Sequence, residues 1–446
     1  MEAKIITIVG GGSTYTPGVV KAILSKKDTF TVKEIRAYDI DEQRQEDVAI
    51  IVREVVKTTC PECKFITTTD PKEAFTDSDF IFAQIRVGKY AMREKDEKIA
   101  LKHGAVGQET CGCGGLAYGL RTIYPMVEIL DYVEKYANPK HWILNYSNPA
   151  AIVALALKKL RPNARIINIC DMPVAIMNTF ADILKCDPHE IKPYYFGLNH
   201  FGWFTDVWVN GESRFEELRQ HAIAHGYLDA ALDEQHWEPS WVHTYGNVKL
   251  MMERFPKYLP NTYLQYYLLS QDVVDDADPE YTRANEVMDG REKTLFDAIN
   301  HYKETGEYED DMFVVGAHGT FIVDLAESLC KENGGRYLLI VKNEGAVADL
   351  PDDAMVEIPC YVSPSGIEKV SVGHIPTFYK GLIEQQYASE KCLVEGAIEN
   401  SYDKVLQGFA LNKTVKSSTQ AKAILDEMIE TNKEYWPELK GSVKNL

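Results

Sequence analysis

Side chains able to do chemistry gather in six short stretches of this chain. Ile85 to Glu94 carries Arg86, Lys89 and Arg93 directly after an apolar run, Phe80 to Gln84. Guanidinium groups hold carboxylates and phosphates through paired N–H donors, so this is a candidate anion pocket; basic residues facing solvent are the plainer alternative. Val106 to Gly115 reads Val-Gly-Gln-Glu-Thr-Cys-Gly-Cys-Gly-Gly with a single acid, Glu109, and suits either a lid or a turn-dense connection. Asn145-Tyr146-Ser147-Asn148-Pro149 offers amides that bond sugar hydroxyls or cap the helix that follows. Cys170-Asp171-Met172-Pro173 and Gly197-Leu198-Asn199-His200-Phe201-Gly202-Trp203 bring a thiol and an imidazole, good ligands for a borderline divalent metal, although spacing alone does not place them together. Leu259 to Tyr267 is a tyrosine cluster that a core or a site accommodates equally, and Tyr281-Thr282-Arg283-Ala284-Asn285-Glu286 adds Arg283 at a helix start.

The elements that must position these groups alternate strand and helix. Ile5 to Val9 is a buried-strand pattern followed by Gly10-Gly11-Gly12-Ser13 and then Thr16-Pro17, with Thr as N-cap and Pro at the first helical position. A strand ending in a glycine turn at a helix start cradles phosphate. The next strand, Ile35 to Tyr38, ends at Asp39, further along than the ~20 residues typical of the acid that binds an NAD ribose, but at the right strand end. Tyr15 replaces the third glycine of the usual fingerprint, so the motif rests on strand, turn, helix and Asp39 together, and a plain tight turn stays open. Strands Phe80–Gln84, Trp142–Asn145 and Arg165–Ile169 continue the pattern, with helices through Ile123 to Val133 and Pro149 to Leu160, which predicts an α/β fold with a doubly wound parallel sheet. Asp41 is placed to cap a helix running to Val56. Beyond about residue 195 the pattern mixes helices with strand runs at Tyr337–Val341, Val356–Val362 and Val370–Val372, then helix over Pro376–Phe409 and Ser418–Glu430. The division expected is a Rossmann-type nucleotide-binding domain, 1–195, and a mixed α/β domain, 196–446, with the site in the cleft between them.

The bulk properties narrow the partners. The chain has 446 residues, 48 Lys plus Arg against 67 Asp plus Glu, and a formal charge of −19, which disfavours nucleic acid and anionic membrane surfaces. The chain shows no signal-type start and no membrane-length apolar run, so a cytoplasmic location is expected. Nine cysteines spread along the sequence suit free thiols, and the lone Cys60-x-x-Cys63 lacks the second pair of a zinc site.

The order and wording of these stretches resemble glycoside hydrolase family 4 from Gly10 to about Trp436. The segments Ile85 to Arg93, Asn145 to Ala150, Cys170 to Pro173, Gly197 to Trp203, Asn261 to Tyr267 and Arg283 to Arg291 carry the resemblance. It implies a fold like the lactate and malate dehydrogenases and an NAD-dependent hydrolase of 6-phospho-α-glucosides, such as maltose 6′-phosphate, that needs a divalent metal, usually Mn2+. The family is an exception to the two-carboxylate rule of glycosidases. The implied chemistry is oxidation of the sugar at carbon 3 by NAD, removal of the acidified carbon 2 proton, elimination of the glycosidic oxygen, water addition and return of the hydride.

The resemblance also implies site roles. Cys170 and His200 match the metal ligands, Asp171 the acid that protonates the leaving oxygen, and Tyr263 the base at carbon 2. Glu109 matches a residue that raises that tyrosine's basicity, and Arg93, Asn148 and Arg283 match substrate contacts. Gly10, Gly11, Gly12, Ser13 and Asp39 are the NAD-binding candidates. Relatives acting on β-linked substrates usually carry Asn at the position of Asp171, which favours the α linkage, with a 6-phospho-β-glucosidase as the alternative. A homodimer or homotetramer is expected. Cys111-Gly112-Cys113-Gly114 departs from a common Cys-Gly-Pro-Gly, so a looser, more oxidisable loop is expected there. Two readings from other classes share the first domain: an NAD-linked hydroxy-acid dehydrogenase and a catalytically silent NAD-binding regulator.

Overall fold

The structure is a computed structural model that describes residues 2–228, 238–307 and 316–441. The first part of the chain lays down β1 (Lys4–Val9), β2 (Val32–Tyr38), β3 (Lys64–Thr68), β4 (Phe80–Ala83), β5 (Trp142–Asn145) and β6 (Ile166–Asn168). All pair in parallel, in the spatial order β3-β2-β1-β4-β5-β6 of a doubly wound dinucleotide fold. The central strands β1, β4 and β5 are apolar runs because both faces of the sheet are covered there. In β4, Phe80 and Phe82 enter one core cluster while Ile81 and Ala83 enter another.

The chain then builds a second, antiparallel sheet from β7 (Ile191–Leu198), β8 (Phe201–Val209), β9 (Glu212–Ser213) and β10 (Leu259–Pro260). Later, β11 (Gly335–Lys342), β12 (Met355–Ser363) and β13 (Gly366–Lys369) return to the first sheet, where β11 joins β6 antiparallel. The large sheet therefore has nine strands drawn from both halves of the sequence. The boundary drawn at 195/196 falls inside β7.

Several local expectations need correction. The helix Thr16–Ser25 has Tyr15 as N-cap, so Thr16 is its first residue, and the Thr16 hydroxyl takes a hydrogen bond from Gln84 Nε2 at 2.9 Å instead of capping. Asp41 does cap its helix, Glu42–Thr59, by accepting from Arg44 N. Val370–Val372 is not a strand: β13 ends at Lys369, and Val372 N instead reaches Ala346 O. The run Pro376–Phe409 is two helices, Thr377–Glu399 and Tyr402–Leu411, broken where Asn400 turns left-handed at φ 53°. All nine cysteines are free thiols, and Cys60 and Cys63 lie in the apolar core. Among the described residues no helix is long and apolar enough to cross a membrane.

Candidate active site

The glycine turn after β1 is built as a tight bend. Gly10 has φ +88°, and the N–H groups of Gly10 and Gly11 both donate to Tyr38 O. Gly12 N donates to Asp39 Oδ2 at 2.9 Å while Asp41 N donates to Asp39 Oδ1, so the carboxylate expected to read a ribose also ties the turn to the end of β2. Side chains at Gly11 or Gly12 would run into Gln45 and Ala37 or into Arg44 and Asp39. The Thr14 hydroxyl next to this turn is buried without a hydrogen-bond partner, at the start of the helix Thr16–Ser25. A phosphate-bearing nucleotide fits there, because the unpartnered Thr14 hydroxyl lies at a helix N-terminus, where backbone dipoles favour an anion.

The ends of β4, β5 and β6 carry the remaining groups. After β4, Arg86 and Arg93 converge on Glu109, with N–O distances of 2.6 and 2.9 Å, and Arg93 also holds Glu97 at 2.7 Å. Burial opposes ionisation of Glu109, but the two guanidiniums outweigh it and hold its carboxyl at about 2. Glu97 then accepts from Ala284 N, and Glu94 accepts from Asn285 Nδ2, which docks the short helix Arg283–Val287 against the helix Lys89–Lys102. Arg93 and Arg283 thus reach one region although they are far apart in sequence. Arg283 pairs with Glu238 and lies 3.0 Å from Glu286, and its buried Nη1 is not aimed to hydrogen-bond.

After β5, Asn145 Nδ2 donates to Asn168 Oδ1, and its own Oδ1 accepts from Ser147 N. Asn145 is therefore a scaffold, while Asn148 precedes a cis bond to Pro149 and its carbonyl accepts from Thr122. Neither asparagine caps the helix Ala150–Leu160, whose N-cap is Pro149.

After β6, Cys170 meets His200. His200 sits at φ 61° in the tight turn between β7 and β8, and that turn presents Nε2 3.2 Å from Cys170 Sγ. Burial drives His200 down to about 4, against the nearby charges of Asp171 and Glu109, so the imidazole is neutral at pH 7. Burial, with Asp171 and Glu357 adding, pushes the Cys170 thiol well up. A thiolate and a neutral imidazole nitrogen brought this close would hold a borderline divalent metal. Among the described residues no third His, Cys, Asp or Glu joins them, which leaves other coordination positions open.

Tyr263 lies against His200, with ring centroids 4.7 Å apart, and its own ring stacks on Trp241. Burial raises its phenol well above the usual range; Tyr266 and Glu109 add to this, and Arg283 opposes it. Asp171 Oδ2 stands 3.3 Å from His318 Nδ1, and the Asp171 side chain is 40% exposed. Burial raises the Asp171 carboxyl, but the hydrogen bond and charge of His318 lower it further, to below its ordinary value.

Residues that sequence reasoning passed over tie these groups together. Glu357 on β12 is fully buried, accepting from Tyr195 OH at 3.0 Å and from Asn199 Nδ2 at 3.2 Å. Asn261 Nδ2 reaches Tyr195 OH, and Asn261 Oδ1 accepts from Tyr263 N. One buried network therefore connects the turn that holds His200 to the backbone of Tyr263. The available signal was a lone acid in the apolar run Met355–Ser363. His318 had no such signal.

The family model for family 4 glycosyl hydrolases matches residues 5–186, and that for the family 4 glycosyl hydrolase C-terminal domain matches residues 195–415. This chain is a family 4 glycosyl hydrolase. The family 4 chain is 49% identical to the maltose-6′-phosphate glucosidase MalH of Clostridium acetobutylicum, over 98% of its own length and all of that protein. A probable 6-phospho-β-glucosidase of Bacillus subtilis is 31% identical over 99% of both chains. A 6-phospho-α-glucosidase from gut microorganisms, solved with NAD and glucose 6-phosphate, superposes with TM-score 0.97 at 55% identity over 99% of this chain and all of that one. A second, solved with NAD and Mn2+, gives 0.95 at 44% identity over 98% of this chain and all of that one.

The glycine-rich stretch differs from its sequence expectation. Residues 112 onward begin the helix Gly112–Tyr136, and the Gln108 side chain accepts from Thr110 N and Cys111 N just before it. Side chains at Gly114 or Gly115 would overlap the backbone of Gln108 or Thr110. Cys111 and Cys113 are fully buried, and burial pushes each thiol up to about 12. In this family 4 chain Gly112 to Gly115 are thus the first turn of a helix, with both thiols buried.

Proposed function

We propose that this family 4 enzyme hydrolyses 6-phospho-α-glucosides, maltose 6′-phosphate among them, to glucose 6-phosphate and an aglycone, with NAD and a divalent metal, Mn2+, as cofactors. The observation that carries the site is the buried Cys170–His200 pair, 3.2 Å apart and in contact with Tyr263, with Cys170 at the carboxyl end of β6 as the glycine turn is at the carboxyl end of the parallel strand β1. The α linkage follows the relatives, since the α-acting protein is far more similar in sequence than the β-acting one.

When bound, NAD accepts and returns a hydride at sugar carbon 3, and the metal polarises the carbon 3 carbonyl. The chain's own residues do the rest. Cys170 and His200 hold the metal, the latter without having to lose a proton at pH 7. Gly10, Gly11, Gly12 and Ser13 cradle the pyrophosphate, with Asp39 at the ribose. Tyr263 takes the carbon 2 proton, and the ionised Glu109 makes its phenolate a stronger base. Asp171 gives a proton to the glycosidic oxygen. Arg93 and Arg283 contact the substrate, and an arginine fork suits the 6-phosphate. Asn148 contacts the sugar. In this reading 1–195 binds the nucleotide, 196–446 completes the site, and the protein works in the cytoplasm as a homodimer or homotetramer.

The test is nitrophenol release from 4-nitrophenyl 6-phospho-α-glucoside by protein stripped of metal and nucleotide. Activity only when Mn2+ and NAD are both restored supports the proposal. Turnover with neither present, or of the β-linked substrate alone, overturns it.

A further inference from the structure

The glycine turn after β1 is met by a side chain from the other half of the chain. Arg44, in the first turn of the helix Glu42–Thr59, donates from Nε to Gly12 O at 2.8 Å and pairs through Nη2 with Glu292 Oε1 at 2.6 Å. Its guanidinium carbon lies 4.9 Å from the centre of the Phe296 ring. Gly12 N donates to Asp39 Oδ2, so Arg44 and Asp39 hold the two ends of one glycine. Glu292 ends the turn Met288–Glu292, which continues the short helix begun at Arg283 and leads into the helix Lys293–Thr305. The stretch that carries Arg283 therefore also reaches the glycine turn.

Arg44, Glu292 and Phe296 have no part in the reaction proposed above. At the end of the second strand in this fold an acid accepts the ribose 2′-hydroxyl of NAD, and an arginine nearby accommodates the 2′-phosphate of NADP. This chain has both groups, Asp39 and Arg44, at one glycine. The arginine, however, is already engaged: Glu292 balances its charge, Gly12 O takes Nε and Phe296 covers one face. The other cation at this strand end, Lys89, pairs with Asp41, whose N–H in turn donates to Asp39. Ile40, between the two acids, is 91% exposed, so a ligand can reach this end of β2. A 2′-phosphate there would meet Asp39, Asp41 and Glu292, and would have to take a guanidinium away from a carboxylate before gaining anything from it.

We infer that Glu292 is a specificity-determining residue for the dinucleotide: by holding Arg44 it denies that guanidinium to a 2′-phosphate, and together with Asp39 it makes the site take NAD in preference to NADP. The inference rests on the placing of the ribose at Asp39 proposed above. Specificity is a difference of two affinities, and an ion pair that must be broken for the wrong ligand alone supplies part of it. The plainer role for the pair is to brace one helix on another, as Lys303 and Asp47 do at 2.7 Å further along the same two helices. A brace acts on both dinucleotides alike.

Calorimetric titration of the nucleotide-free, full-length protein with NAD and with NADP reads binding directly, without turnover. Glu292→Ala is expected to tighten NADP ~10-fold and to leave NAD within about twofold, because the freed guanidinium gains a charge-assisted hydrogen bond to the phosphate. Glu292→Gln, which keeps the shape of the side chain, is expected to shift NADP the same way by less. Adding Arg44→Met to Glu292→Ala should cancel the gain, and Lys303→Met should leave the ratio of the two affinities unchanged. Equal changes for both dinucleotides in Glu292→Ala, or a gain in NADP that survives Arg44→Met, overturns the inference. Asp39→Asn tests the reading beneath it: weaker NAD binding is expected, and unchanged binding removes the ribose from Asp39 and the inference with it. Wild-type protein that binds neither dinucleotide counts against the proposed function instead.

Discussion

At the residue scale, burial decides which groups carry protons. His200 is already neutral at pH 7, so the proton displaced by a metal must come from Cys170, whose thiol is held well above its ordinary value. The apparent Mn2+ affinity is therefore expected to rise about tenfold per pH unit between about pH 6 and 8, with close to one proton released per metal by calorimetry in buffers of different ionisation enthalpy. A flat profile would mean that the thiol does not ionise on binding. Glu390 offers a second test, away from the metal. Burial raises its carboxyl from 4.5 to about 7, and its partner Gln386 has a buried Oε1 without a donor. The folded chain binds this proton more tightly, so the stabilisation is complete below about pH 4.5 and is lost as pH rises through about 7. Glu390→Gln should match wild type near pH 4 and be more stable by about 1–3 kcal/mol at pH 8, read from urea midpoints. The residue types of the proposed metal pair, base and acid could be read directly from the sequence. The proximity of Cys170 to His200 could not, because it depends on a left-handed turn between two strands that meets the end of a third. His318 gave no warning, since its meaning comes only from Asp171 beside it in space.

At the element scale, one sequence pattern has two physical readings. The run Gly112-Cys113-Gly114-Gly115 suits a mobile lid, yet here the glycines let the first turn of a helix press on the backbone of Gln108 and Thr110. A glycine excess does not distinguish chain freedom from close approach; only the neighbours do. The same structure sets the expected effect of restoring the common proline. Cys113 is the second residue of the helix Gly112–Tyr136, where the backbone N–H has no intrahelical acceptor and a φ near −65° is already required. Cys113→Pro should leave the fold intact and raise stability by ~0.4–1 kcal/mol by restricting the unfolded chain. A clear loss in the denaturation midpoint would show that the buried thiol and its contact with Thr414 matter more than that restriction. Strand existence was legible wherever apolar runs were bounded by turns, as in β1, β4 and β5. The misplacement of β13 follows from its composition, since Gly366–Lys369 is half-exposed edge strand while the β-branched Val370–Val372 that looked like strand follows it.

At the scale of the whole molecule, the sequence halves and the structural units do not coincide. The change of texture near residue 195 is real in the pattern, but β7 runs across it, and β11 returns to bond the edge of the parallel sheet at β6. The helix Ala317–Ser328 packs on the helix Thr16–Ser25, and one apolar cluster includes Ile6 and Val20 from the first half with Phe321, Leu339 and Val356 from the second. A chain cut at 195 would expose β6, strip that cluster of half its members and remove the partners of Asp171 and Cys170. The local pattern of a sequence records each strand's burial but not which distant strand covers its edge, and for that reason the nucleotide fold was legible while its antiparallel extension was not. Since no weak seam separates the halves, thermal unfolding should proceed as one transition with calorimetric and van't Hoff enthalpies in agreement, even though multidomain chains of this length usually depart from that behaviour. Saturating NAD should shift the whole transition upward, by an amount set by its affinity, without splitting it. A low-temperature peak that leaves the NAD-responsive one behind would instead show that the C-terminal half melts on its own, and that the shared sheet is weaker than its continuous strands imply.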